Sequence, residues 1–295
     1  MKTLAGIVLY NPDIERLREN IAAIAPQVDL LVFIDNASRN YDEIIKITHP
    51  NSIMIKNEKN LGSATALNQI CQFALDNDYE WALTLDQDSV VAPNLIEVYK
   101  QVVASNQHLG IISCRIKDRN QKTVKEEEII YDGEYIECCI TSASFVCIKA
   151  WQEVGGFDDT MFIDDVDVDF CKAIWQGGWG IYKTNQTHII HELGNTCIRV
   201  KMWGKVTGLH NHSPFRYYYI SRNAIYETRK YYNFFLGLLK FFGKIRLITL
   251  VCRYEEHKFA KTINIVKGAW AGLTCPIWKP QKRVKGDENT AELEA

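Results

Sequence analysis

The chain has no surplus of charge of either sign. Its 295 residues carry 34 Lys and Arg against 36 Asp and Glu, a formal net charge of -2, which argues against a dedicated nucleic-acid binder. Long hydrophobic runs are missing too: no stretch approaches the roughly 18–20 uncharged apolar residues of a membrane span. The apolar Leu4–Leu9 is stopped at once by Asn11-Pro12-Asp13. It is too short for a signal-peptide core and lacks a small-residue cleavage pattern, so it reads as a buried first strand. The nine cysteines form no CxxC pair, are odd in number and lie mostly inside apolar segments. That pattern speaks against a zinc site or a disulfide framework and for reduced, buried thiols in the cytosol. No Gly-Lys-Ser/Thr loop and no GxGxxG fingerprint is present, so neither an ATP phosphate cradle nor a dinucleotide site is supported. Neither an internal repeat nor a low-complexity linker divides the chain.

What is present is an ordinary globular composition, 47% hydrophobic and 24% charged, in a chain long enough for one sizeable core. Over the first 115 residues apolar runs alternate with helical spacing. Leu4–Leu9, Leu30–Ile34, Ile53–Ile55, Trp81–Leu85 and Gly110–Ile116 read as strands. Ile14–Ala25, the stretch carrying Ala64, Leu67, Ile70, Cys71, Ala74 and Leu75, and a helix opened by Pro93 read as helices. This alternation predicts an open, mostly parallel sheet with helices on both faces. Such sheets bind ligands at the carboxyl ends of their strands. Tyr10-Asn11, Asp35-Asn36 and Asp86-Gln87-Asp88 each directly follow a predicted strand, which brings three polar clusters to one rim.

Four groups bear on chemistry. Asp86 and Asp88, two apart at a strand end, can share a divalent cation, since Mg2+ and Mn2+ take oxygen ligands from carboxylates and substrate phosphates. The same pair also fits a plain turn with solvated acids. Gly62-Ser63 can start a helix whose free amides favour an anion, or simply a well-capped amphipathic helix. Asp158, Asp159, Asp164, Asp165, Asp167 and Asp169 place six carboxylates within twelve residues; crowding of that kind raises a carboxyl pKa and suits a general base, although acids at a helix start are stabilising by themselves. His191 follows Ile189-Ile190 at a further strand end, where an imidazole can ligate a cation or serve structure alone.

In this order the pieces resemble the family 2 inverting glycosyltransferases over roughly residues 4–195. The resemblance rests on Val8-Leu9-Tyr10-Asn11, Ile34-Asp35-Asn36-Ala37-Ser38, Asn60-x-Gly62-x-Ala64-x-x-x-Asn68, Asp86-x-Asp88, Gly155-Gly156-Phe157-Asp158, the acidic run and His191-x-x-Gly194. It implies the GT-A nucleotide-diphospho-sugar transferase fold and transfer of a sugar to a hydroxyl with inversion. It further implies that Tyr10, Asn11 and Asp35 line the base and ribose pocket, that Asn60 and Gly62 lie near the donor, and that Asp86 lies near the ribose. Asp88, with His191, would hold Mg2+ or Mn2+ on the diphosphate. The family's Glu-Asp-x-Asp stretch aligns with Val166-Asp167-Val168-Asp169, which makes Asp167 the catalytic base. Val166 stands where the family has an acid, and Ala173 where it has an arginine, so Asp165 and Asp164 are alternatives for that role. Phe162-Ile163-Asp164-x-Val166-Asp167 and Pro214-Phe215-Arg216-x-Tyr218-Tyr219-x-x-Arg222-Asn223 look like the rhamnosyltransferase branch, which implies dTDP-L-rhamnose as donor and a glycan or lipid-linked glycan as acceptor in O-antigen or capsule synthesis. Another nucleotide sugar, or a sugar-nucleotide-binding relative with a decayed site, is the competing reading. A nucleotidyltransferase of the same fold would need a Gly-rich basic loop where Tyr10-Asn11-Pro12-Asp13 stands.

The expected organisation is a GT-A domain over 1–215, a basic aromatic helical extension over 216–278, and a polar, disordered tail over 279–295. From Arg229 to Lys267 there are nine Lys and Arg but only Glu255 and Glu256 as acids, interleaved with Tyr231, Tyr232, Phe234, Phe235, Phe241 and Phe242. This suits an interfacial helix on anionic lipid, peripheral on the inner face of the cell membrane. A buried extension or a homo-oligomer interface is the alternative.

Overall fold

A computed structural model describes residues 1–119, 131–191, 198–202 and 204–286. The elements run β1 (Leu4–Leu9), α1 (Ile14–Ile24), β2 (Leu30–Asp35), α2 (Tyr41–Ile44), β3 (Ser52–Lys56), α3 (Ser63–Asp76), β4 (Trp81–Asp86), β5 (Val90–Val91) and α4 (Leu95–Ser105). They continue with β6 (Leu109–Asp118), β7 (Gly133–Tyr135), β8 (Ser144–Cys147), α5 (Ile148–Val154), α6 (Val166–Gln176) and β9 (Gly180–His191). Last come β10 (Ile198–Met202), β11 (Lys205–Leu209), α7 (Pro214–Tyr231), α8 (Phe234–Tyr254) and α9 (Lys258–Thr274). The chain divides into two compact units, one of Met1–Asp159, Val166–Leu193 and Pro280–Ala295, the other of Thr160–Asp165 and Gly194–Lys279.

The first unit is a mixed α/β layer structure around a sheet of order β3-β2-β1-β4-β8-β6-β9-β5, with β7 beside β9. The neighbours β3, β2, β1 and β4 are parallel, and their near-continuous apolar sequences suit strands covered on both faces. Leu4, Ala5, Ile7 and Leu9 of β1 are fully buried, as are Val32, Phe33 and Ile34 of β2. β8 then runs antiparallel to both β4 and β6, and β9 is parallel to β6. Two reversals restore the original direction. The carboxyl ends of β1, β2, β4 and β9 therefore share one rim with the amino end of β8, and that topology builds the site.

Some elements differ from the sequence expectation. Pro93 does not open α4: Leu95 N donates to Ala92 O at 3.1 Å, so Pro93 sits inside a turn whose φ it presets, and α4 starts after Asn94. β8 and α5 were not anticipated between the small residues of 138–148 and Gly155. The expected disordered tail over 279–295 is also corrected in its described part. Gln152 Nε2 donates to Arg283 O at 2.7 Å, Arg283 Nε to Gly155 O at 3.0 Å, and Gln72 Nε2 to Val284 O at 2.9 Å. Residues 280–286 thus lie along α3 and α5 because their polar groups find fixed partners; 287–295 lie outside the described residues.

The second unit comprises Thr160–Asp165 and Gly194–Lys279. Its α7, α8 and α9 pack around Tyr217, Val251 and Ile265, and around Ile225, Ala269 and Leu273. A buried ion pair, Lys261 Nζ to Glu255 Oε2 at 2.8 Å, is completed by the Tyr217 hydroxyl, which donates to Glu255 at 2.6 Å, and by Asn211, which accepts from Lys261. Such a pair persists only when further hydrogen bonds support both partners, and Tyr217 and Asn211 supply them here.

Candidate active site

The rim is assembled from strand ends and the turns that leave them. At the end of β1, Tyr10 N donates to Gln87 Oε1 at 2.8 Å, which ties the β1 turn to the β4 turn. Asn11 adopts φ 47°, a region asparagine tolerates; its amide donates to Ser38 Oγ at 2.9 Å and its Oδ1 accepts from Arg39 N at 2.8 Å. Tyr10 and Asn11 are both exposed. Asp35 is fully buried, and its carboxylate accepts from Ser38 N at 3.2 Å. It holds the turn behind Tyr10 and Asn11 and lines no surface itself. Asn60 Oδ1 accepts from Gly62 N at 2.9 Å. Gly62, at φ 87°, is the N-cap of α3 with no side chain to cap it, and only glycine adopts that conformation without strain.

The β4 end carries the densest polar cluster. Asn20 Nδ2, buried on α1, donates to Asp86 O at 2.7 Å, and Asp86 N donates to Ser142 Oγ at 3.1 Å. Ser89 Oγ lies 2.7 Å from Ser142 Oγ and 2.8 Å from His191 Nδ1. His191 Nδ1 is 3.7 Å from Asp88 Oδ1. Ligand atoms of Asp86, Asp88 and His191 all fall within 4.8 Å of one another. Burial pushes the Asp86 carboxyl up to about 6; the His191 imidazole opposes that, while the charges of Asp88 and Asp167 add to it. Two carboxylates and an imidazole crowded in this way suit a hard divalent cation such as Mg2+ or Mn2+, whose charge would offset the repulsion. The residues fit such an ion.

Asp167 stands in the first turn of α6, half-buried, with its carboxylate accepting from Val168 N at 2.9 Å. Its effect on Asp86 places its charge in the field of the cluster. Asp164 and Asp165 belong to the second unit, both at positive φ, 64° and 60°. Arg216 reaches Asp164 through Nη2 at 2.8 Å and Nε at 2.9 Å. Asn223 Nδ2 donates to the carbonyls of Ile163 and Asp164 at 2.8 and 2.7 Å, and Arg222 Nη1 donates to Thr160 O at 2.7 Å. The Arg216, Arg222 and Asn223 side chains thus clamp the strained loop that leads into Asp167.

Sequence reasoning missed Asn20, Ser89 and Ser142. Asn20 left a usable signal, a polar residue in helical phase with the buried Leu17, Ile21 and Ile24. The serines left none, because their convergence depends on β8 lying antiparallel to β4. Gly194 of the His191-x-x-Gly194 pattern lies outside the described residues.

Comparison with known proteins agrees with this geometry. The family described as Glycosyl transferase family 2 matches residues 5–153. The dTDP-rhamnosyl transferase RfbF of Shigella flexneri is 25% identical over 245 residues, 77% of this chain and 79% of that protein. Among solved structures, S. aureus TarS 1-349 in complex with UDP is similar with a TM-score of 0.53 at 13% identity, over 78% of this chain and 66% of that one. GalNAc-T7 with UDP, GalNAc and Mn2+ is similar with a TM-score of 0.57 at 14% identity, over 88% of this chain and 54% of that one. The mannosyltransferase PcManGT from Pyrobaculum calidifontis, in complex with GDP-Man and Mn2+, is similar with a TM-score of 0.54 at 12% identity, over 94% and 87% of the two chains. These structural likenesses show the GT-A fold.

Proposed function

From the premise that this chain belongs to glycosyl transferase family 2, we propose that it is a metal-dependent inverting rhamnosyltransferase. It moves L-rhamnose from dTDP-L-rhamnose to a hydroxyl of a lipid-linked or polysaccharide acceptor in cell-surface glycan synthesis, O-antigen or capsule. The observation that carries the reading is the convergence of Asp86, Asp88 and His191 within 4.8 Å at the strand-end rim, with the Asp167 charge acting on the same group. The choice of rhamnose is supported by the similarity to a dTDP-rhamnosyl transferase.

In this reading Tyr10 and Asn11 line the base and ribose pocket, on a turn that Asp35 holds from behind. Asn60 and Gly62 present the amides at the start of α3 to the donor, where a helix N-terminus favours negative charge. Asp86 lies at the ribose. Asp88 and His191 would hold Mg2+ or Mn2+. Bound there, the cation supplies charge neutralisation for the departing nucleoside diphosphate. Asp167 takes the proton of the acceptor hydroxyl. That oxygen forms its bond to the anomeric carbon on the face opposite the breaking bond to phosphate, so configuration inverts.

We also propose a cytoplasmic location with peripheral attachment to the inner membrane face through the second unit. Among the described residues, no helix is long and apolar enough to cross a membrane. α8 and α9 nonetheless expose Phe235, Phe242, Phe259 and Trp270 among Lys240, Lys244, Arg253 and Lys258. Apolar side chains rimmed by cations suit an anionic lipid surface.

The test is nucleoside-diphosphate release by purified protein across a panel of nucleotide sugars, with and without EDTA. Slow, EDTA-sensitive release from dTDP-L-rhamnose alone is expected. Release from another donor would overturn the sugar assignment, and a protein that neither binds nor hydrolyses any donor would overturn the enzymatic reading.

A further inference from the structure

Three thiols of the first unit have no part in sugar transfer. Cys138 and Cys139 lie in the stretch 136–143 between β7 and β8, which forms neither helix nor strand, and Cys171 lies on α6. Cys171 Sγ is 3.9 Å from Cys139 Sγ. It also accepts from Cys139 N at 3.5 Å and donates to Cys139 O at 3.6 Å, so backbone contacts as well as sulfur hold the two residues together. Cys138 is exposed, Cys139 half-buried and Cys171 buried, which places the pair just beneath the surface.

Cys139 also differs from the core cysteines in its acidity. Burial raises the thiols of Cys71, Cys114 and Cys147, the ordinary condition of an inert sulfhydryl in an apolar interior. The hydrogen bond with Cys171 lowers that of Cys139, with burial opposing it. Cys171 moves the other way, raised by its hydrogen bonds with Cys138 and then Cys139, and by burial. A more acidic thiol in contact with a less acidic one is the arrangement of an attacking sulfur beside a resolving sulfur.

We propose that Cys139 and Cys171 form an oxidant-responsive dithiol that closes to a reversible disulfide. The oxidant is a peroxide. The Cys139 thiolate attacks one peroxide oxygen and the O–O bond breaks; Cys139 becomes a sulfenic acid, and the other oxygen leaves as water or alcohol. The Cys171 sulfur then attacks the sulfenic sulfur, the S–O bond breaks and a water leaves. Two thiols thereby give two electrons and two protons to the peroxide. The sulfurs must approach by about 2 Å to reach the roughly 2.05 Å of a disulfide, a shift that the irregular 136–143 stretch can take up. That movement reaches the rim. Ser142, three residues after Cys139, accepts from Asp86 N at 3.1 Å and meets Ser89 Oγ at 2.7 Å, and Asp167 lies four residues before Cys171 on α6. A misplacement of about 1 Å can cost roughly 10²-fold in rate, so closing the bond slows donor turnover. That consequence, unlike the bond itself, rests on the transferase reading above.

The experiment treats the reduced full chain with equimolar hydrogen peroxide, blocks remaining thiols by alkylation, and maps peptides by mass spectrometry without reductant. A peptide pair joined through Cys139 and Cys171 within one chain is expected, and dithiothreitol should separate it. Because Cys138 shares the Cys139 peptide, Cys138→Ser and Cys139→Ser assign the partner: the link should persist in the first and vanish in the second. Oxidation that leaves Cys139 and Cys171 unlinked would overturn the proposal, as would links only between chains. A link that survives Cys139→Ser would assign Cys138 instead and overturn the pair. Hydrolysis of dTDP-L-rhamnose on the same samples is expected to fall at least fivefold on oxidation and return with dithiothreitol, while Cys139→Ser keeps its rate through the treatment. Equal rates in the linked and reduced protein would overturn the coupling to the rim. A reduced protein that hydrolyses no nucleotide sugar would count against the transferase reading, and the linked peptide would still decide the disulfide.

Discussion

Ser89 Oγ sits 2.8 Å from His191 Nδ1 and 2.7 Å from Ser142 Oγ. A histidine that ligates a cation through one ring nitrogen is oriented by what the other nitrogen bonds. In the tautomer whose Nδ1 donates to Ser89, Nε2 carries the lone pair and is the nitrogen left to ligate. Ser89→Ala removes that orientation without removing a ligand. We expect about a 10- to 100-fold loss of Mn2+ affinity, the range typical of such outer partners, measured by competition with a metal-sensitive dye. Unchanged affinity would mean that His191 is not a ligand.

The pH dependence follows from Asp86. Its carboxyl is raised from 3.8 to about 6, first by burial. The folded state therefore keeps a proton that the unfolded chain has already lost between those two values. The metal-free protein should lose stability from this group as pH rises from about 4 to 6. Asp86→Asn, which mimics the protonated form, should flatten that part of the profile in urea melts run in EDTA. For Mn2+ the sign reverses. A proton on Asp86 removes a negative charge from beside the cation that Asp88 and His191 would hold, so affinity should fall as pH drops below about 6.

Asp167→Asn keeps the shape of the side chain and its place in the first turn of α6 but removes its basicity. Loss of a general base typically costs about 10²- to 10⁴-fold. We expect a fall of that size in transfer rate with donor binding unchanged by thermal shift. Asp164→Asn and Asp165→Asn, made in parallel, separate the base from its neighbours. If either of those abolishes transfer while Asp167→Asn does not, the base lies elsewhere in the run.

Much of this rim is legible from residues alone, because β1, β2 and β4 are unbroken apolar runs that stop at Tyr10-Asn11, Asp35 and Asp86. Strand identity and carboxyl-end placement need only local pattern. Contacts across the chain are another matter. Ser142 reaches Asp86 only because β8 runs antiparallel to β4, and no local pattern encodes a pairing partner. The pocket role of Asp35 comes from the family resemblance alone, and no local pattern shows that its carboxylate bonds Ser38 N. Residues 280–286 read as solvated because composition does not reveal that Arg283 will find Gly155 O and Asp159. Arg216, Arg222 and Asn223 stood out only as a family pattern; the structure gives them a physical task on the 160–165 loop.

The Asn60-to-Asn68 and Gly155-to-Asp158 motifs are parts of one hydrogen-bonded unit. Buried Asn68 accepts from Phe157 N at 2.8 Å and Trp151 Nε1 at 3.0 Å, and donates to Phe157 O at 2.9 Å and Asp159 Oδ1 at 2.6 Å. All its hydrogen-bonding capacity is used. Asn68→Leu keeps the volume but strands several buried partners, each unmet group costing about 1–3 kcal/mol. We expect a net loss near 3 kcal/mol in denaturant unfolding. Asn68→Asp keeps the two accepted bonds but sets a carboxylate oxygen against Asp159 Oδ1 and Phe157 O, so it should lose at least as much as the leucine variant.

The surface of α8 and α9 sets the last test. Phe259 is 81% exposed, Phe235 66% and Trp270 63%, and large apolar side chains left this open suit a lipid or partner surface. The neighbouring acids offset little of the basic charge, since Glu255 is consumed by Lys261. If this face meets a bilayer, the protein should float with vesicles containing phosphatidylglycerol and remain behind with pure phosphatidylcholine. Each Lys or Arg near an anionic surface contributes about 1 kcal/mol, and that contribution is screened within roughly 10 Å at 0.1 M salt. Flotation should therefore weaken as salt rises, and should weaken independently when Phe235→Ser and Phe259→Ser are combined. A protein that never floats but sediments as a concentration-dependent dimer would assign the same apolar face to a second copy of the chain, because both partners would then bury it without lipid.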